Sequence, residues 1–167
     1  MRPIRKVLFC LTVMAGLYPT VMNAQSKETI FPLEMKQPSS FNVGDVFMGM
    51  LKSGEGTTMV CNFLFEKGSR NAWHTHPIQQ CLLVLSGEGY YQEEGKPKQL
   101  LRKGDWVVTP VGVPHWNGAT PDNACECITI TDYAEPHVDN LRKVTDEEFN
   151  TSVEYVKVDR LIRIGTH

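Results

Sequence analysis

The sequence predicts an all-β fold, a sandwich or barrel built from many short strands. Three observations predict it. Apolar runs rich in β-branched and aromatic residues recur between positions 46 and 131, Gly and Pro separate these runs, and no long helical period occurs before position 144. The chain has 167 residues, of which 41% are hydrophobic, so it can form one core and we expect a single domain.

The predicted strands follow one another closely along the chain. They are residues 46–51, 57–65, 72–76, 80–85, 89–93, 98–101, 105–109 and 124–131. A turn is predicted beside Gly118, and the Gly-containing segments 53–56 and 93–97 predict hairpin turns. This spacing is typical of antiparallel strands.

One short helix is predicted after the last of these strands. Thr145 and Glu148 form a capping box, and Val144 with Phe149 can form a hydrophobic staple. The C-terminal tail, residues 151–167, alternates apolar and polar positions only in part, which leaves an added strand and a docked extension as alternatives.

Residues 1–24 are predicted to be a cleavable signal peptide. Arg2, Arg5 and Lys6 precede an apolar run, and Ala24 offers a small residue for cleavage. Cys10 lies inside the apolar run rather than after it, which argues against a lipoprotein. We therefore expect an exported protein, periplasmic or secreted, without stable membrane insertion.

Residues 25–44 are predicted to form an extended N-terminal arm. Pro32, Pro38 and Gly44 interrupt regular structure there. An arm before the first strand of a barrel commonly pairs with the sheet edge of a neighbouring subunit. We therefore expect a homo-dimer or a higher homo-oligomer.

The charge of the mature chain argues against nucleic acid as a partner. Removal of Arg2, Arg5 and Lys6 with the signal peptide lowers the count of Lys and Arg from 17 to 14, while all 19 Asp and Glu remain, for a net charge of −5. No basic patch or run of Lys and Arg is present. We expect a small-molecule substrate instead.

Four cysteines lie within strand-like apolar runs of the mature chain: Cys61, Cys81, Cys125 and Cys127. In an exported protein they could form disulfides, and their spacing does not distinguish the three pairings. Their surroundings favour the alternative that they are buried free thiols.

Histidines form the most informative pattern in the chain. His74 and His76 stand at i and i+2, so on an extended strand their side chains share one face and can bind one metal ion. His115 follows some forty residues later. Trp73 and Trp116 each adjoin one of these histidines, and by alternation we expect them to point away from the metal and pack elsewhere.

Two motifs around these histidines resemble those of the cupin superfamily, with Gln in a place usually held by Glu. The residues that carry the resemblance are Gly68, His74, His76, Gln80 and Gly87 in the first motif, and Gly104, Pro110, Gly112 and His115 in the second. Within the type-2 cupins, segments 72–77, 115–121 and 144–148 are similar to the bacterial cupin hydroxynitrile lyases and the carboxymuconolactone decarboxylase-associated cupins. The resemblance implies a cupin double-stranded β-helix, a jelly-roll barrel, over residues 45–150.

The resemblance also implies a metal site inside the barrel. His74, His76, Gln80 and His115 would bind one divalent ion, Mn, Fe, Ni or Zn, and leave open positions for substrate or water. Three neutral imidazoles and an amide oxygen leave the double charge of the metal uncompensated, so a bound oxygen atom would be strongly polarised. The sequence does not choose the metal.

The resemblance places a substrate pocket beside the metal, lined by Cys61, Phe63, Asn117, Cys127 and Thr131. Such a pocket would be mostly apolar, which suits a small aromatic or carbonyl compound. The alternative is that this face is ordinary core packing. Asn117 and Cys127 stand where lyase-like members have histidines, so the residue that moves protons is unknown.

Three functions agree with these features. The first is a metal-dependent enzyme that acts on a small molecule by Lewis-acid catalysis, as a lyase, isomerase or decarboxylase. The second is a metal-dependent dioxygenase, which needs adjacent open positions on the metal. The third is a non-catalytic protein that binds a metal or ligand, because a fold alone does not prove catalysis.

Overall fold

The fold was analysed in a computed structural model, which describes residues 28–52, 58–132 and 138–154. The predicted signal peptide, the predicted turn at 53–56 and the end of the tail lie outside these ranges. Within them, no helix has the length and apolar character needed to cross a membrane.

The described residues form thirteen strands and one helix. The strands are β1 Met35–Lys36, β2 Asn42–Val43, β3 Val46–Lys52, β4 Thr58–Phe65, β5 Arg70–Asn71, β6 Trp73–Thr75, β7 Gln80–Glu93, β8 Lys98–Arg102, β9 Trp106–Thr109, β10 His115–Ala119, β11 Cys125–Asp132, β12 Asp139–Arg142 and β13 Val153–Glu154. The helix α1 spans Asp146–Phe149. This composition confirms the predicted all-β class with a short C-terminal helix.

The strands curl into two facing sheets that share β7. One sheet has the order β1-β3-β4-β11-β7-β9. The other contains β10 between β7 and the pair β5 and β6, with β8 on the opposite side of β7. Almost all pairings are antiparallel, and only β13 runs parallel to its partner β8. This arrangement confirms the jelly-roll barrel.

The prediction of two separate strands over 80–85 and 89–93 is wrong, because β7 is continuous. Gly87 has a φ of 74° and lies so close to the carbonyl of Ala124 that a Cβ atom would be 1.8 Å from its oxygen. A bend at glycine therefore carries the strand from one sheet into the other without ending it.

The turn predicted beside Gly118 is also wrong, because Gly118 lies inside β10. A Cβ atom at this position would approach the Cβ of Arg70 and the carbonyl oxygen of Ser69 to 2.7 Å each. The lack of a side chain at Gly118 allows β10 and β5 to approach closely, and no turn forms at this position. Strand β12 was not predicted, because all four of its residues are exposed and it lacks an alternating apolar pattern.

Among the residues that the structure describes, two clusters make up the hydrophobic core. The larger lies between the two sheets and contains Val46, Phe65, Leu82, Val84, Tyr91, Leu101, Val107, Ala119, Cys125 and Cys127. The smaller lies outside the barrel, where Trp73 and Trp116 pack with Val144, Phe149 and the half-buried Tyr90. We call this second group the tryptophan cluster.

Helix α1 is capped as predicted and is fastened to the barrel by two buried cations. The Thr145 side chain accepts a hydrogen bond from the Glu148 backbone N–H at 3.1 Å, and the Thr145 N–H donates to the Glu148 carboxylate at 2.9 Å. Arg70 donates to the Val144 carbonyl at 3.1 Å, and Lys98 donates to the Phe149 carbonyl. Each end of the helix is thereby bonded to a strand of the barrel.

The N-terminal arm pairs with its own chain. Strand β1 pairs with β3 and β2 pairs with β5, so residues 35–36 and 42–43 extend the sheets of the same barrel. The buried carboxylate of Glu126 accepts a hydrogen bond from the Ile30 N–H at 2.9 Å. Pairing of the arm with a second subunit stays a prediction.

The four cysteines of the described residues are free thiols. Cys61, Cys125 and Cys127 are buried and Cys81 is half-buried. Of the two alternatives left open by the sequence, this arrangement matches buried thiols rather than a disulfide framework.

Candidate metal centre

Three histidines converge inside the barrel: His74 on β6, His76 just after the end of β6, and His115 on β10. His74 of β6 and His115 of β10 are directly opposite each other in the antiparallel register, and their ring centroids are 4.1 Å apart. The ring of His76 lies 5.0 Å from that of His74 and 5.3 Å from that of His115. One ring nitrogen from each histidine lies within 4.8 Å of the others, so the three can act as ligands of one ion.

Backbone carbonyls orient two of these rings. The Nδ1 atom of His74 is 2.9 Å from the Ala72 carbonyl oxygen, and that of His115 is 3.0 Å from the Val113 carbonyl oxygen. A carbonyl accepts only, so each Nδ1 carries the hydrogen and each Nε2 presents its lone pair. Carbonyl groups that orient ligand histidines in this way are a common feature of metal sites.

Burial keeps both imidazoles neutral. Desolvation, aided by His115, lowers the pKa of His74 to about 3. Desolvation also lowers the pKa of His115 to about 4, with the neighbouring His76 acting in the same direction. Near neutral pH both rings therefore hold a free lone pair, the form that metal binding requires.

The Nε2 atom of His115 supports the fit to a metal most directly. His115 is completely buried, and this atom has no hydrogen-bond partner in the structure. An unsatisfied buried acceptor costs about 1–3 kcal/mol. A metal ion bound between the three rings would satisfy this atom, so the donor set fits a divalent metal.

Gln80 lies at the start of β7 beside the histidines. Its side chain is buried, and its amide nitrogen donates to the Thr131 hydroxyl at 3.3 Å. This bond leaves the amide oxygen available as a fourth ligand. Thr131 therefore orients Gln80, and it does not line the cavity described next.

A cavity of about 260 Å³ opens beside the histidines. His74, His76 and Gln80 line it, while the fully buried His115 lies behind them. The other lining residues are Gln37, Phe41, Asn42, Val46, Met48, Met50, Met59, Cys61, Phe63, Phe65, Asn71, Leu82, Asn117, Thr129, Val138 and Asn140. None of the described residues that line it is Asp, Glu, Lys or Arg.

The five predicted pocket residues fall into two groups. Cys61, Phe63 and Asn117 line the cavity. Cys127, like Thr131, does not line it: Cys127 is packed one step deeper, in the larger core cluster, where it borders a void of about 10 Å³. The strand β11 reaches the cavity through Thr129 instead.

Asn117 adds a polar group to the cavity wall. Its backbone N–H donates to the Asn71 side chain at 2.8 Å, which fixes the strand, and its side chain is 5% exposed. The side-chain oxygen is buried without a hydrogen-bond partner. This amide can therefore bond to a ligand without first losing a bond to the protein.

Sequence reasoning missed three parts of this wall. Gln37, Phe41 and Asn42 come from the arm and Asn140 comes from β12, and neither segment carries a pattern that predicts proximity to the histidines. The methionines of β3 and β4 had a usable signal, since Met59 shares the i, i+2 face of Cys61.

Comparison with known proteins identifies a family and a relative of this chain. The model of the Cupin domain family matches residues 62–131. The chain is 35% identical over 117 residues to an (R)-mandelonitrile lyase from Granulicella tundricola, and the alignment covers 68% of this chain and 89% of that protein.

Solved structures resemble the chain as well. A cupin-like protein from Thermotoga maritima is 40% identical, with a TM-score of 0.72, and the match covers 76% of this chain and 98% of that one. A polyketide cyclase from Streptomyces resistomycificus is 17% identical, with a TM-score of 0.54 over 62% of this chain and 75% of its own; this likeness shows the fold alone.

Proposed function

We propose that this chain, which belongs to the type-2 cupin superfamily, is a metal-dependent enzyme of lyase type that acts on a small hydroxy or carbonyl compound. The observation that carries the proposal is the buried histidine cluster, in which the Nε2 atom of His115 has no partner within the protein. The (R)-mandelonitrile lyase relative supports the reaction class.

The donor set supports a Lewis-acid role. His74, His76, His115 and Gln80 would hold a divalent ion of the Mn, Fe, Ni or Zn group. All four ligands are uncharged, so the ion would keep its full double charge and supply strong polarisation of a substrate oxygen.

The cavity supports a small substrate. Its volume of about 260 Å³ is just below the roughly 300–1,000 Å³ of sites that hold drug-sized ligands. Phe63, Phe65 and Leu82 give it an apolar wall that would bind an aryl or alkyl substituent and exclude water. With no charged side chain among the described lining residues, its walls offer no ion-pair partner for a substrate.

The side chains around the histidines supply positioning. The Thr131 hydroxyl accepts a hydrogen bond from the Gln80 amide nitrogen, which leaves the Gln80 oxygen free to bind the metal. The Asn117 side chain, two residues after His115 on the same face of β10, would bond to a polar group of the substrate. An asparagine does not move protons, so we expect it to orient the substrate rather than to act as a base.

A cyanohydrin-cleavage assay tests the proposal. Purified protein, loaded in turn with Mn, Fe, Ni and Zn, is mixed with mandelonitrile and aliphatic cyanohydrins, and release of aldehyde is followed while oxygen consumption is recorded. We expect metal-dependent aldehyde release that is lost in His115→Ala. His167→Ala, which changes a histidine outside both motifs, is the matched control and should keep full activity.

Two outcomes would overturn the lyase proposal. Aldehyde release that is unchanged after metal removal and in His115→Ala would separate the activity from this site. Oxygen consumption by the metal-loaded protein, without aldehyde release under anaerobic conditions, would replace the lyase with the dioxygenase alternative.

A further inference from the structure

Four sulfur-bearing side chains line the same cavity on the wall formed by β3 and β4. They are Met48, Met50, Met59 and Cys61, and we call them the sulfur cluster. None of the four has a role in the proposed function. Their chemistry differs from that of the other wall residues, because thioethers and thiols are soft ligands for metal ions.

The register of the two strands makes the three methionines neighbours of Cys61. Met50 is directly opposite Cys61 in the antiparallel pair, and Met48 is opposite Phe63, which makes Met48 a diagonal neighbour of Cys61. Directly opposite Cβ atoms are about 4.5–5.5 Å apart and diagonal positions about 7–8 Å. Met59 precedes Cys61 by two residues, so both point to the cavity side of β4.

The methionine side chain is long enough to span the distance between its own Cβ atom and the Cys61 side chain. Methionine is unbranched and has three rotatable bonds, so each thioether can turn toward a common point beside Cys61. Cys61 is only 2% exposed, whereas Met50 is 38% exposed. The sulfur cluster therefore has a buried centre and an open side through which an ion can enter.

From this arrangement we infer that the sulfur cluster is a second metal site, which binds one Cu(I) ion through three thioethers and one thiolate. These ligands select Cu(I) over Mg²⁺, Ca²⁺ or Mn²⁺, which prefer oxygen. The Cys61 thiol loses its proton to solvent as the sulfur–copper bond forms, so one negative and one positive charge cancel. A neutral site agrees with the apolar wall, since an uncompensated buried charge is costly.

Anaerobic Cu(I) titration against a competing chromophoric chelator tests this site. The experiment uses the His76→Ala plus His115→Ala protein, so that the histidine cluster does not contribute, and circular dichroism verifies the fold of every variant. We expect one Cu(I) per chain, a proton released on binding, and sulfur neighbours in the X-ray absorption spectrum of the copper.

Conservative variants identify the ligands. Met48→Leu, Met50→Leu and Met59→Leu preserve volume and apolar character, and together they should weaken Cu(I) binding by about 100-fold or more. Met35→Leu is the matched control, because Met35 is 52% exposed on β1 and does not line the cavity. Binding should remain unchanged in that variant.

Two results would overturn the inference. If the folded triple leucine variant binds Cu(I) as tightly as the parent, the thioethers are not ligands and any uptake is due to a thiol alone. If the parent protein takes up no Cu(I) in competition with the chelator while circular dichroism shows it folded, the sulfur cluster is only an apolar wall.

Discussion

The two faces of strands β6 and β10 carry side chains of opposite character. On the inner face, His74 and His115 converge beside the cavity, and the Nε2 atom of His115 lacks a partner within the protein. On the outer face, Trp73 and Trp116 pack in the tryptophan cluster, where the Trp116 indole N–H donates to the Gln92 side chain at 3.0 Å. The same two strands therefore present imidazoles inward and a packed aromatic surface outward.

This contrast teaches how the site is held in place. His74 and His115 are each next in sequence to a tryptophan, so the packing of the tryptophan fixes the position of the histidine. The Phe149 ring of the C-terminal helix packs against Trp116, with 6.1 Å between ring centroids, and Arg70 and Lys98 donate hydrogen bonds that hold that helix on the barrel. The outer face of β6 and β10 therefore contributes packing, while the inner face keeps the lone pair of His115 for a ligand.

Replacement of Trp116 by alanine should disrupt the packing of the tryptophan cluster on the outer face. Trp116 is completely buried, so Trp116→Ala is expected to lower the free energy of unfolding by about 3–5 kcal/mol. Urea unfolding of the metal-free protein measures this change. Trp116→Phe keeps most of the volume and should cost clearly less. A loss below about 1 kcal/mol in the alanine variant would show that this face does not stabilise the fold.

Low pH should destabilise the protein through the two histidines of the inner face. The pKa of His74 is lowered to about 3 and that of His115 to about 4, so between about pH 6.5 and 4 the unfolded state binds protons that the folded state does not. The free energy of unfolding of the metal-free protein is therefore highest above pH 6.5 and decreases as the pH falls toward 4. By pH 5 we expect the free energy of unfolding, measured with urea at each pH, to have fallen by about 4 kcal/mol, about 2 kcal/mol from each histidine.

The variant His115→Gln is the control for this pH dependence. It removes one of the two neutral buried imidazoles, so its stability should fall less steeply over the same pH range. Identical slopes in the two proteins would mean that other groups cause the acid effect.

A histidine in place of Asn117 should increase the chemical difference between the inner and the outer face of β10. Asn117→His places a proton-transfer group on the inner face, where lyase-like cupins resembled by this chain carry a histidine. If the proposed lyase function holds, kcat for cyanohydrin cleavage should rise by about 100-fold, the low end of general acid–base contributions. Asn123→His changes an exposed asparagine and should leave kcat unaltered. An unchanged kcat in Asn117→His would argue against proton transfer at this position.

The smallest effect is expected at the helix cap. Thr145→Ala removes one half of the capping box and should lower the free energy of unfolding by about 1 kcal/mol, because the Glu148 N–H loses its acceptor. Thr58→Ala, at an exposed position of β4, should change it by less than about 0.5 kcal/mol. Equal effects in the two variants would show that the cap does not contribute.

The sequence predicted the inner face better than the elements that surround it. His74, His76 and His115 were identified because ligand spacing on strands is regular, and the helix cap was identified because Thr145 and Glu148 interact locally. Alternation also predicted that Trp73 and Trp116 point away from the histidines, and both pack in the tryptophan cluster on the outer face.

The surroundings of the site depended on contacts that are distant in sequence. The bend at Gly87 and the close approach at Gly118 arise from neighbouring strands, so glycine was misread as the end of one strand and as a turn. The arm and β12 reach the cavity through mostly exposed segments without periodicity, and Cys127 lies deeper than the family resemblance implied. Tertiary packing, rather than local propensity, decided each of these points.

Elemental analysis of the purified chain from Gln25 onward is the most direct test of the account, beside the His76→Ala plus His115→Ala variant prepared in the same way. We expect about one transition metal per chain in the parent protein and none in the folded variant, because the three imidazoles form the site. Absence of metal from both proteins, despite a supply of Mn, Fe, Ni and Zn during growth, would contradict it and would leave the inner face as a purely structural arrangement of histidines.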